Sequence, residues 1–446
     1  MPFARLSVAS SYLHALVAAV AGLVLPAPAG GAAAETARVD LLLKDPSQLA
    51  SWLESHSADV LAAAARVGQA RADLAQSRLL PNPSLNATLN DVTVGATNPP
   101  GLRFDEVAIF GVTLSETVEI GKRGPRRHSA ELRLAASQES YRDALSDALG
   151  QARAALARVA YLRSRQAALE ENLVDARQIL DLQRTRLENG DISGNDYDRL
   201  LLDTTILESD VAQNRSEYRG AVQTCAALLY APCDDHEADL AAVEAAAEVP
   251  SLLATWEQDI ERRPDLRALD LEEQSARQDA IAADRRKIPD PSLSLGYTRD
   301  KLVISGDQPR TLSFGVSMPV PLFDRGQHEA ARARLRADEL RQSAGATLAR
   351  ARANVATLTE RRQTIEHILG ELQGQALARS KGVLDSTLAA VNRGQLSMTD
   401  LLLARRTHAD LTLKVMDLQF GAFSARNELR QALGLDVEAI PKKEDK

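Results

Sequence analysis

Hydrophobic residues recur along this chain with two periods, and segments of each kind alternate. The stretch 126–189 has 64 residues without proline, and its apolar positions step by four and three: Leu145, Leu149, Ala152, Leu156 and Val159. The stretch 327–393 has 67 residues, again without proline. This spacing predicts long helices, the first about 95 Å long at about 1.5 Å per residue. Arg163 and Gln183 interrupt the apolar seam, which favours a broad helical wall over a two-stranded coiled coil.

Between the helical stretches, four short segments alternate between apolar and small polar residues. Their apolar positions are Leu85, Ala87 and Leu89; Phe110, Val112 and Leu114; Leu293, Leu295 and Tyr297; and Leu312, Phe314, Val316 and Met318. A period of two predicts strands, paired as β-hairpins at about 84–118 and about 292–320. Because Ser, Thr, Asn and Gly fill the polar positions, the pattern favours transmembrane strands with a wetted inner face. An ordinary sheet on a soluble core has the same alternation and is the alternative.

Both kinds of segment belong to a duplicated unit. PNPSL at 81–85 returns as PDPSL at 289–293, an offset of 208, and GDISGND at 190–196 returns as GQLSMTD at 394–400, an offset of 204. Each glycine motif lies between two proline-free runs and therefore predicts the tip of a helical hairpin. The glycine ends one helix, and the Ser-x-x-Asp spacing that follows is typical of a capping box at the start of the next.

The N-terminus indicates export. Arg5 precedes an apolar stretch at 13–25, and small residues then lead to an Ala-x-Ala site before Glu35, which predicts a signal peptide at 1–34. An uncleaved membrane anchor is the alternative. No cysteine follows the apolar stretch, so lipidation at a mature N-terminal cysteine is not expected. Nothing after residue 35 approaches the roughly 18 to 20 continuous apolar residues of a membrane helix, so any crossing by the mature chain must use strands.

Composition narrows the function classes. The net charge is −8 and the pI is about 5.6, which argues against a nucleic-acid partner because phosphate binding requires a basic face. The chain has no nucleotide-binding loop, nucleophile elbow or zinc-binding helix motif. We therefore expect no enzymatic activity and no cofactor.

The chain has two cysteines, Cys225 and Cys233. In an exported protein a disulfide between them is the expectation, since that compartment is oxidising. Two alternatives stay open from the sequence. One is a metal site that recruits Asp234, Asp235 and His236, and the other is a pair of free thiols.

The order of several short motifs resembles the outer membrane efflux protein (TolC-like) family. These motifs are LPNP at 80–83, EIGKRG at 119–124, RPDL at 263–266 and PVPLFDRG at 319–326. Each is weak alone, but their order and spacing are specific, and the resemblance covers nearly all of the mature chain. The last motif is most similar to the heavy-metal cation efflux (CzcC-like) branch.

The resemblance implies an α+β membrane protein built from a duplicated half. Each chain would contribute four transmembrane β-strands to a trimeric twelve-stranded barrel, continuous with a long periplasmic α-helical barrel. The predicted divisions are a signal peptide at 1–34, a first half at 35–250 with its helical hairpin at about 126–231, a second half at 251–440 with its helical hairpin at about 327–435, and a charged tail at 441–446.

The resemblance also implies a function and partners. We expect a passive conduit in the outer membrane of a Gram-negative bacterium, with a large periplasmic part, that exports heavy-metal cations. Its partners would be two further copies of the chain, outer membrane lipid, a periplasmic adaptor (membrane fusion) protein and an inner membrane pump of the resistance-nodulation-division type. The same channel could instead serve multidrug efflux or protein secretion. A soluble periplasmic helical adaptor or interaction protein is the alternative from another class.

Candidate gate residues lie at the predicted tips. The family closes its tunnel with rings of acidic side chains, so the resemblance makes Asp400 a candidate for the pore gate, together with Asp196 at the corresponding position of the first half. The family's further acid corresponds here to Leu403, which departs from the pattern. Helix capping alone is the other explanation for both aspartates.

Four more tip residues are candidate contacts for the adaptor: Gly190, Ile192, Gly394 and Leu396. Exposed apolar side chains beside a glycine turn require an explanation, and a docking partner supplies one. The alternative is a hydrophobic contact that completes the turn.

Overall fold

The computed structural model describes residues 46–96, 100–233, 260–301 and 308–437. The predicted signal peptide at 1–34 and the charged tail at 441–446 lie outside these ranges, as do Asp234, Asp235 and His236. Within them the chain forms long helices and one small sheet.

The first half contains five helices and two strands among its described residues. In chain order they are α1 (Pro46–His56), α2 (Ala58–Ser77), β1 (Ser84–Asn90), α3 (Phe104–Val107), β2 (Ile109–Thr117), α4 (Arg123–Glu188) and α5 (Gly194–Leu229). The chain before β1 forms two helices and not one, because Ser57 adopts an extended conformation with ψ of 122°. The short helix α3 lies in the loop of the first hairpin, between β1 and β2.

The second half repeats this order with differences. It contains α6 (Pro264–Asp284), a 3₁₀ turn (Arg285–Lys287), β3 (Ser292–Arg299), β4 (Arg310–Ser317), α7 (Gln327–Glu371), a π-helical turn (Leu372–Ala376), α8 (Leu377–Asn392), α9 (Met398–Leu433) and a final 3₁₀ turn (Leu435–Val437). The predicted continuous helix at 327–393 is therefore interrupted. The interruption contains Gly374, where a missing side chain and high backbone freedom favour a local change of helix type.

The four strands form one antiparallel sheet in the order β1-β2-β3-β4. Ser84 pairs with Ser115, and Ser292 pairs with both Thr117 and Ser317. The strand ends that connect to helices therefore lie at one end of the sheet, and the loops of both hairpins lie at the other. Strands β1 and β4 are the edges.

The central strands expose their apolar face. Along β2 and β3 the Ser, Thr and Gly positions are the more covered ones, while the exposed side chains are Phe110, Val112, Leu114, Leu293, Leu295 and Tyr297. The small face packs closely: a Cβ added to Gly296 would lie 2.5 Å from Ser313 Oγ. This arrangement is the reverse of a sheet on a soluble core, which buries its apolar face.

The helices pack in strips along their length. Leu169 and Leu173 of α4 pack against Val211 of α5, and Val355 of α7 packs against Leu429 of α9. No helix in the described ranges combines the length and the apolar character needed to cross a membrane. The predicted fold class, long paired helices joined to a four-stranded sheet from two hairpins, is confirmed.

Candidate functional site

Both helical hairpins turn through the same backbone motif. Gly190 and Gly394 have φ of +79° and +73°, a region that strongly favours glycine. In each tip the glycine N–H donates to the carbonyl three residues earlier, and the next N–H donates to the carbonyl five residues earlier, at 2.8–3.0 Å. This pair of hydrogen bonds is the Schellman motif. The glycines therefore determine the path of the chain at both tips.

The helices that return from the tips begin at serine caps. The N–H of Asp400 donates to Ser397 Oγ at 3.2 Å, and the N–H of Ser397 donates to Asp400 Oδ2 at 3.0 Å, which completes a capping box. Ser193 accepts from the N–H of Asp196 at 3.1 Å, and its hydroxyl donates to the Asp196 carboxylate at 2.7 Å. The first tip has no return bond from the Ser193 N–H, so its box is incomplete.

Asp400 is exposed, and its own cap stabilises its ionised form. The hydroxyl of Ser397 donates to its carboxylate at 2.6 Å, and this bond, followed by the bond from the Ser397 N–H, lowers the pKa of Asp400. A capped carboxylate therefore keeps its negative charge in mildly acidic solution. Within the described chain the hydrogen bonds of Asp400 and Asp196 go to the serine of their own cap and not to each other.

The other tip candidates differ in exposure. A Cβ at Gly190 or Gly394 would meet no atom within 4 Å, so both glycines face open space. Leu396 is exposed and Ile192 is half-buried. Leu403, the position where the sequence departs from the family pattern, is 67% exposed. An apolar surface is therefore present at the second tip in a single chain.

A polar contact region joins the two hairpins and was not predicted. Near the tips, Gln183 of α4 is buried and donates to the sulfur of Met398 at 3.4 Å. Farther from the tips, the guanidinium of Arg405 on α9 donates to the backbone carbonyl of Asn172 on α4. Burial lowers the pKa of Arg405, although Asp175 and Asp203 act in the opposite direction. The only sequence signal was the break in the apolar seam at Gln183.

The same contact region continues beyond Arg405, on the side away from the tips. Tyr161 on α4 donates to the Asp417 carboxylate at 2.5 Å, and Arg165 donates to the same oxygen at 2.6 Å. The ring of Phe420 stacks on Tyr161 with 4.7 Å between centroids. Burial, followed by the bond to Asp417, raises the pKa of Tyr161. We call the α4–α9 contacts from Gln183 to Tyr161 the inter-hairpin seam.

Cys225 and Cys233 form a disulfide at the end of α5. The bonded sulfurs offer no thiolate, so this geometry does not suit the alternative metal site. Within the described ranges, no group of three or more His, Cys, Asp or Glu side chains could hold a metal ion. The disulfide lies next to the carbonyl of Leu229, which accepts a hydrogen bond from Trp52 of α1 at 2.7 Å.

An open groove lies where the sheet meets the helices, with a volume of about 1450 Å³. Charged side chains line it in pairs: Arg126 donates to Glu119 at 2.6 and 2.8 Å, and Lys122 donates to Asp290 at 2.6 Å. Burial acts to raise the pKa of Asp290, but the bonds from Lys122 and from the Ile120 N–H outweigh it and lower that pKa, while the bond to Glu119 raises the pKa of Arg126. With its charges neutralised in pairs, the groove does not favour ligands of one sign.

Comparisons with known proteins agree with this geometry. The family model described as outer membrane efflux protein matches residues 49–231 and 256–435. Sequence comparison with curated proteins finds no relative. The fold is similar to that of CusC, with a TM-score of 0.74 and 19% identity over 89% of this chain and 92% of that one.

Two further solved structures share the fold. The outer membrane protein VceC from Vibrio cholerae has a TM-score of 0.70 and 20% identity over 89% of this chain and 97% of its own. The MtrE outer membrane channel of Neisseria gonorrhoeae, solved in its open state, has a TM-score of 0.71 and 19% identity over 87% and 88%. At this level of identity the likeness concerns the fold alone.

Proposed function

Because the chain belongs to the outer membrane efflux protein family, whose members are passive channels and not enzymes, we propose that it is the outer membrane component of a tripartite efflux system. In this proposal it conducts substrates from the periplasm to the exterior, after export directed by its N-terminal segment. The single observation that carries the proposal is the reversed sheet: Phe110, Leu114 and Leu295 are exposed, and the small polar positions of the central strands β2 and β3 are the more covered ones. Hydrocarbon would cover the exposed face, and the polar face would line the pore.

The sheet also supports assembly with further copies. Strands β1 and β4 have free edges in a single chain, and an unpaired edge in hydrocarbon costs several kcal/mol per backbone group. Single-chain barrels begin at about eight strands. We infer that three chains close a twelve-stranded barrel, in which β4 of one copy pairs with β1 of the next. The trimer should migrate as a heat-modifiable band from outer membrane fractions.

The helices would form the periplasmic tunnel. Helix α4 alone has 66 residues, which corresponds to about 100 Å. Its tip and that of the second hairpin lie far from the sheet. Gly190, Ile192, Gly394 and Leu396 would contact the periplasmic adaptor that links the channel to an inner membrane pump of the resistance-nodulation-division type. Cross-linking from Leu396 to a co-expressed adaptor tests this contact, and Leu182, an exposed leucine on α4 above the tip, is the matched control.

Asp400 is the proposed gate residue, with Asp196 in a secondary role. In a trimer, three ionised copies of Asp400 near one axis would repel each other and attract cations. Asp400→Ala should raise the conductance of closed channels in planar bilayers. Ser397→Ala is the matched control, because it breaks the cap and keeps the charge. Equal conductance of Asp400→Ala and the wild type would contradict gating, and equal leak in both variants would assign the effect to capping.

Heavy-metal cations are the proposed cargo. The support is the similarity of PVPLFDRG at 319–326 to the heavy-metal branch of the family. Multidrug efflux or protein secretion is the competing cargo assignment. Deletion of the gene followed by a panel of divalent metals, dyes and antibiotics separates these possibilities. Sensitivity to metals alone would support the proposal, and sensitivity to drugs alone would overturn it.

The soluble adaptor alternative is disfavoured by the family assignment and by the exposed apolar face.

A further inference from the structure

The exposed apolar positions of β4 continue beyond its last paired residue, Ser317. Leu312, Phe314 and Val316 are exposed within the strand, and the same alternation continues outside it with further exposed side chains: Met318, Val320 and Leu322. Proline occupies the intervening positions 319 and 321. Proline has no N–H to donate, so the ladder stops after Ser317. The Leu322 N–H donates to the Val320 carbonyl at 2.9 Å, which turns the chain at Pro321. The apolar stripe is therefore longer than the sheet.

The stripe ends in a turn that is held by several hydrogen bonds. Gln327 donates to the carbonyl of Phe323 at 3.1 Å and accepts from the N–H of Arg325 at 2.8 Å, and Asp324 accepts from the N–H of Gly326 at 2.9 Å. A Cβ on Gly326 would lie 2.2 Å from the carbonyl oxygen of Ala283, so the turn packs tightly on the end of α6. Phe323 is nevertheless 91% exposed. A fixed turn thus presents an aromatic ring to the outside.

Three cations in the turn or at the end of α6 have no carboxylate partner among the described residues. Within the described chain, the guanidinium of Arg325 donates only to the carbonyl of Leu322, at 3.5 Å. Arg285 and Lys287, at the end of α6 where the turn packs, are exposed and form no ion pair with any described carboxylate. A large apolar side chain beside unpaired cations suits the boundary between acyl chains and phosphate headgroups.

We propose that Leu322, Phe323 and Arg325 form an interface anchor that enters the periplasmic leaflet of the membrane. The ring of Phe323 lies among the upper acyl chains, and the guanidinium of Arg325 lies at the headgroup phosphates of anionic phospholipid. The anchor rests on the proposed function, because it extends the face of β4 that was assigned to hydrocarbon. A neighbouring copy is the less suitable occupant, since it would join β4 through the strand edge, and that strand ends at Ser317, six residues before Phe323.

Tryptophan quenching by brominated lipids tests the anchor in the full-length trimer. Three variants would be reconstituted in phosphatidylcholine vesicles with a minor fraction of phosphatidylglycerol, using lipids brominated either near the headgroup or deep in the acyl chain. The native protein, with two tryptophans, is the baseline. Phe323→Trp should lose fluorescence with shallow bromines, and Phe314→Trp on β4 should lose it with deep bromines. Leu335→Trp, an exposed position on α7 beyond the turn, should lose none.

The variants separate failure of the anchor from failure of the proposed function. Quenching of Phe314→Trp without quenching of Phe323→Trp would overturn the anchor, as expected if a second copy covers Phe323, and would leave the membrane sheet standing. Absence of quenching at Phe314→Trp would overturn both. Adding Arg325→Glu to Phe323→Trp should reduce the shallow quenching in vesicles with phosphatidylglycerol but not in pure phosphatidylcholine. Equal quenching in both lipids would overturn the role of Arg325.

Discussion

The returning helices of the two halves end in the same backbone conformation but are fixed by different chemistry. Helix α5 ends at Tyr230 with φ of 54°, and α9 ends at Gly434, 204 residues later, with φ of 69°. The first end is fixed by the disulfide between Cys225 and Cys233. The second is fixed by a buried ion pair of Asp436. The two halves therefore share the path of the chain at this point, but a different interaction stabilises it in each half.

The disulfide and the ion pair also differ in the sequence separation of the residues that they join. The disulfide closes a short local loop with a sequence separation of 8. Arg153 of the first half donates to Asp436 of the second at 2.6 Å, across 283 positions, and both side chains are almost fully buried. Arg430 adds a bond to the same Asp436 oxygen at 3.1 Å. The ion pair thus connects the two halves, whereas the disulfide stabilises one of them.

The largest effect is expected from breaking the ion pair. Asp436→Ala leaves Arg153 buried without its carboxylate partner, and such losses cost about 3–5 kcal/mol. Denaturant unfolding of the detergent-solubilised protein measures the change. Glu208→Ala, which removes the exposed partner of Arg177, is the matched control and should cost about 0–1 kcal/mol. Similar losses in both variants would mean that the buried ion pair contributes no more to stability than the exposed one.

Removal of the disulfide should have the next largest effect. Replacing both cysteines by serine releases a short loop of the unfolded chain, so we expect a loss of about 2–3 kcal/mol. A reducing agent should destabilise the native protein by a similar amount and leave the double variant unchanged. Helix α1 should become more accessible to protease in both cases, because Trp52 bonds to the adjacent Leu229 carbonyl. A native protein unaffected by reduction would contradict the assigned role.

A third prediction concerns an acid between the halves that opposes folding. Burial, followed by repulsion from Asp147 and Asp265, raises the pKa of Asp143 to about 6, while Arg263 acts in the opposite direction. The folded pKa lies above the unfolded value of about 3.9, so the ionised carboxylate destabilises the fold. This cost is absent below about pH 4 and is complete above the folded pKa.

Asp143→Asn should therefore stabilise the protein at pH 7 by about 1–2 kcal/mol. The gain should shrink as the pH falls through 6 and vanish near pH 4. Unfolding curves of both proteins between pH 4 and 8 measure it. A gain that does not depend on pH would show that packing, and not ionisation, is responsible.

The smallest expected effect distinguishes the two tips. Ser397→Ala removes one side of a complete capping box and should cost about 1 kcal/mol. Ser193→Ala should cost less, because the first box lacks the return bond from the Ser193 N–H. The difference between the two midpoints of unfolding is the quantity to measure. A larger loss at Ser193 would reverse the order that the hydrogen bonds predict.

Much of the fold could be predicted because the deciding interactions are local. The strands follow from the alternation at positions such as Phe110 and Leu295, and the tips follow from Gly190 and Gly394, since each depends on residues within a few positions. The interruption at 372–376 could not be located in this way. A helix containing Gly374 can continue or change its hydrogen-bond pattern at similar cost, and packing along its length selects between them.

The candidate site was predictable only in part. The capping-box spacing located Ser397 and Asp400, and the structure forms that box, whereas the sequence did not distinguish it from the incomplete box at Ser193. The inter-hairpin seam was missed, because Arg405 bonds to a backbone carbonyl 233 positions away. A carbonyl is present at every residue and leaves no sequence signal.

The sequence by itself determined the duplication, the period of each element and the turns, because periodicity and turn chemistry act over a few neighbouring residues. Only the tertiary structure decided which polar groups meet, such as Arg153 with Asp436, because those contacts depend on how helices from different halves lie side by side. It also decided which face of the sheet is exposed. Alternation defines two faces, but only the packing around the sheet assigns one of them to solvent or lipid.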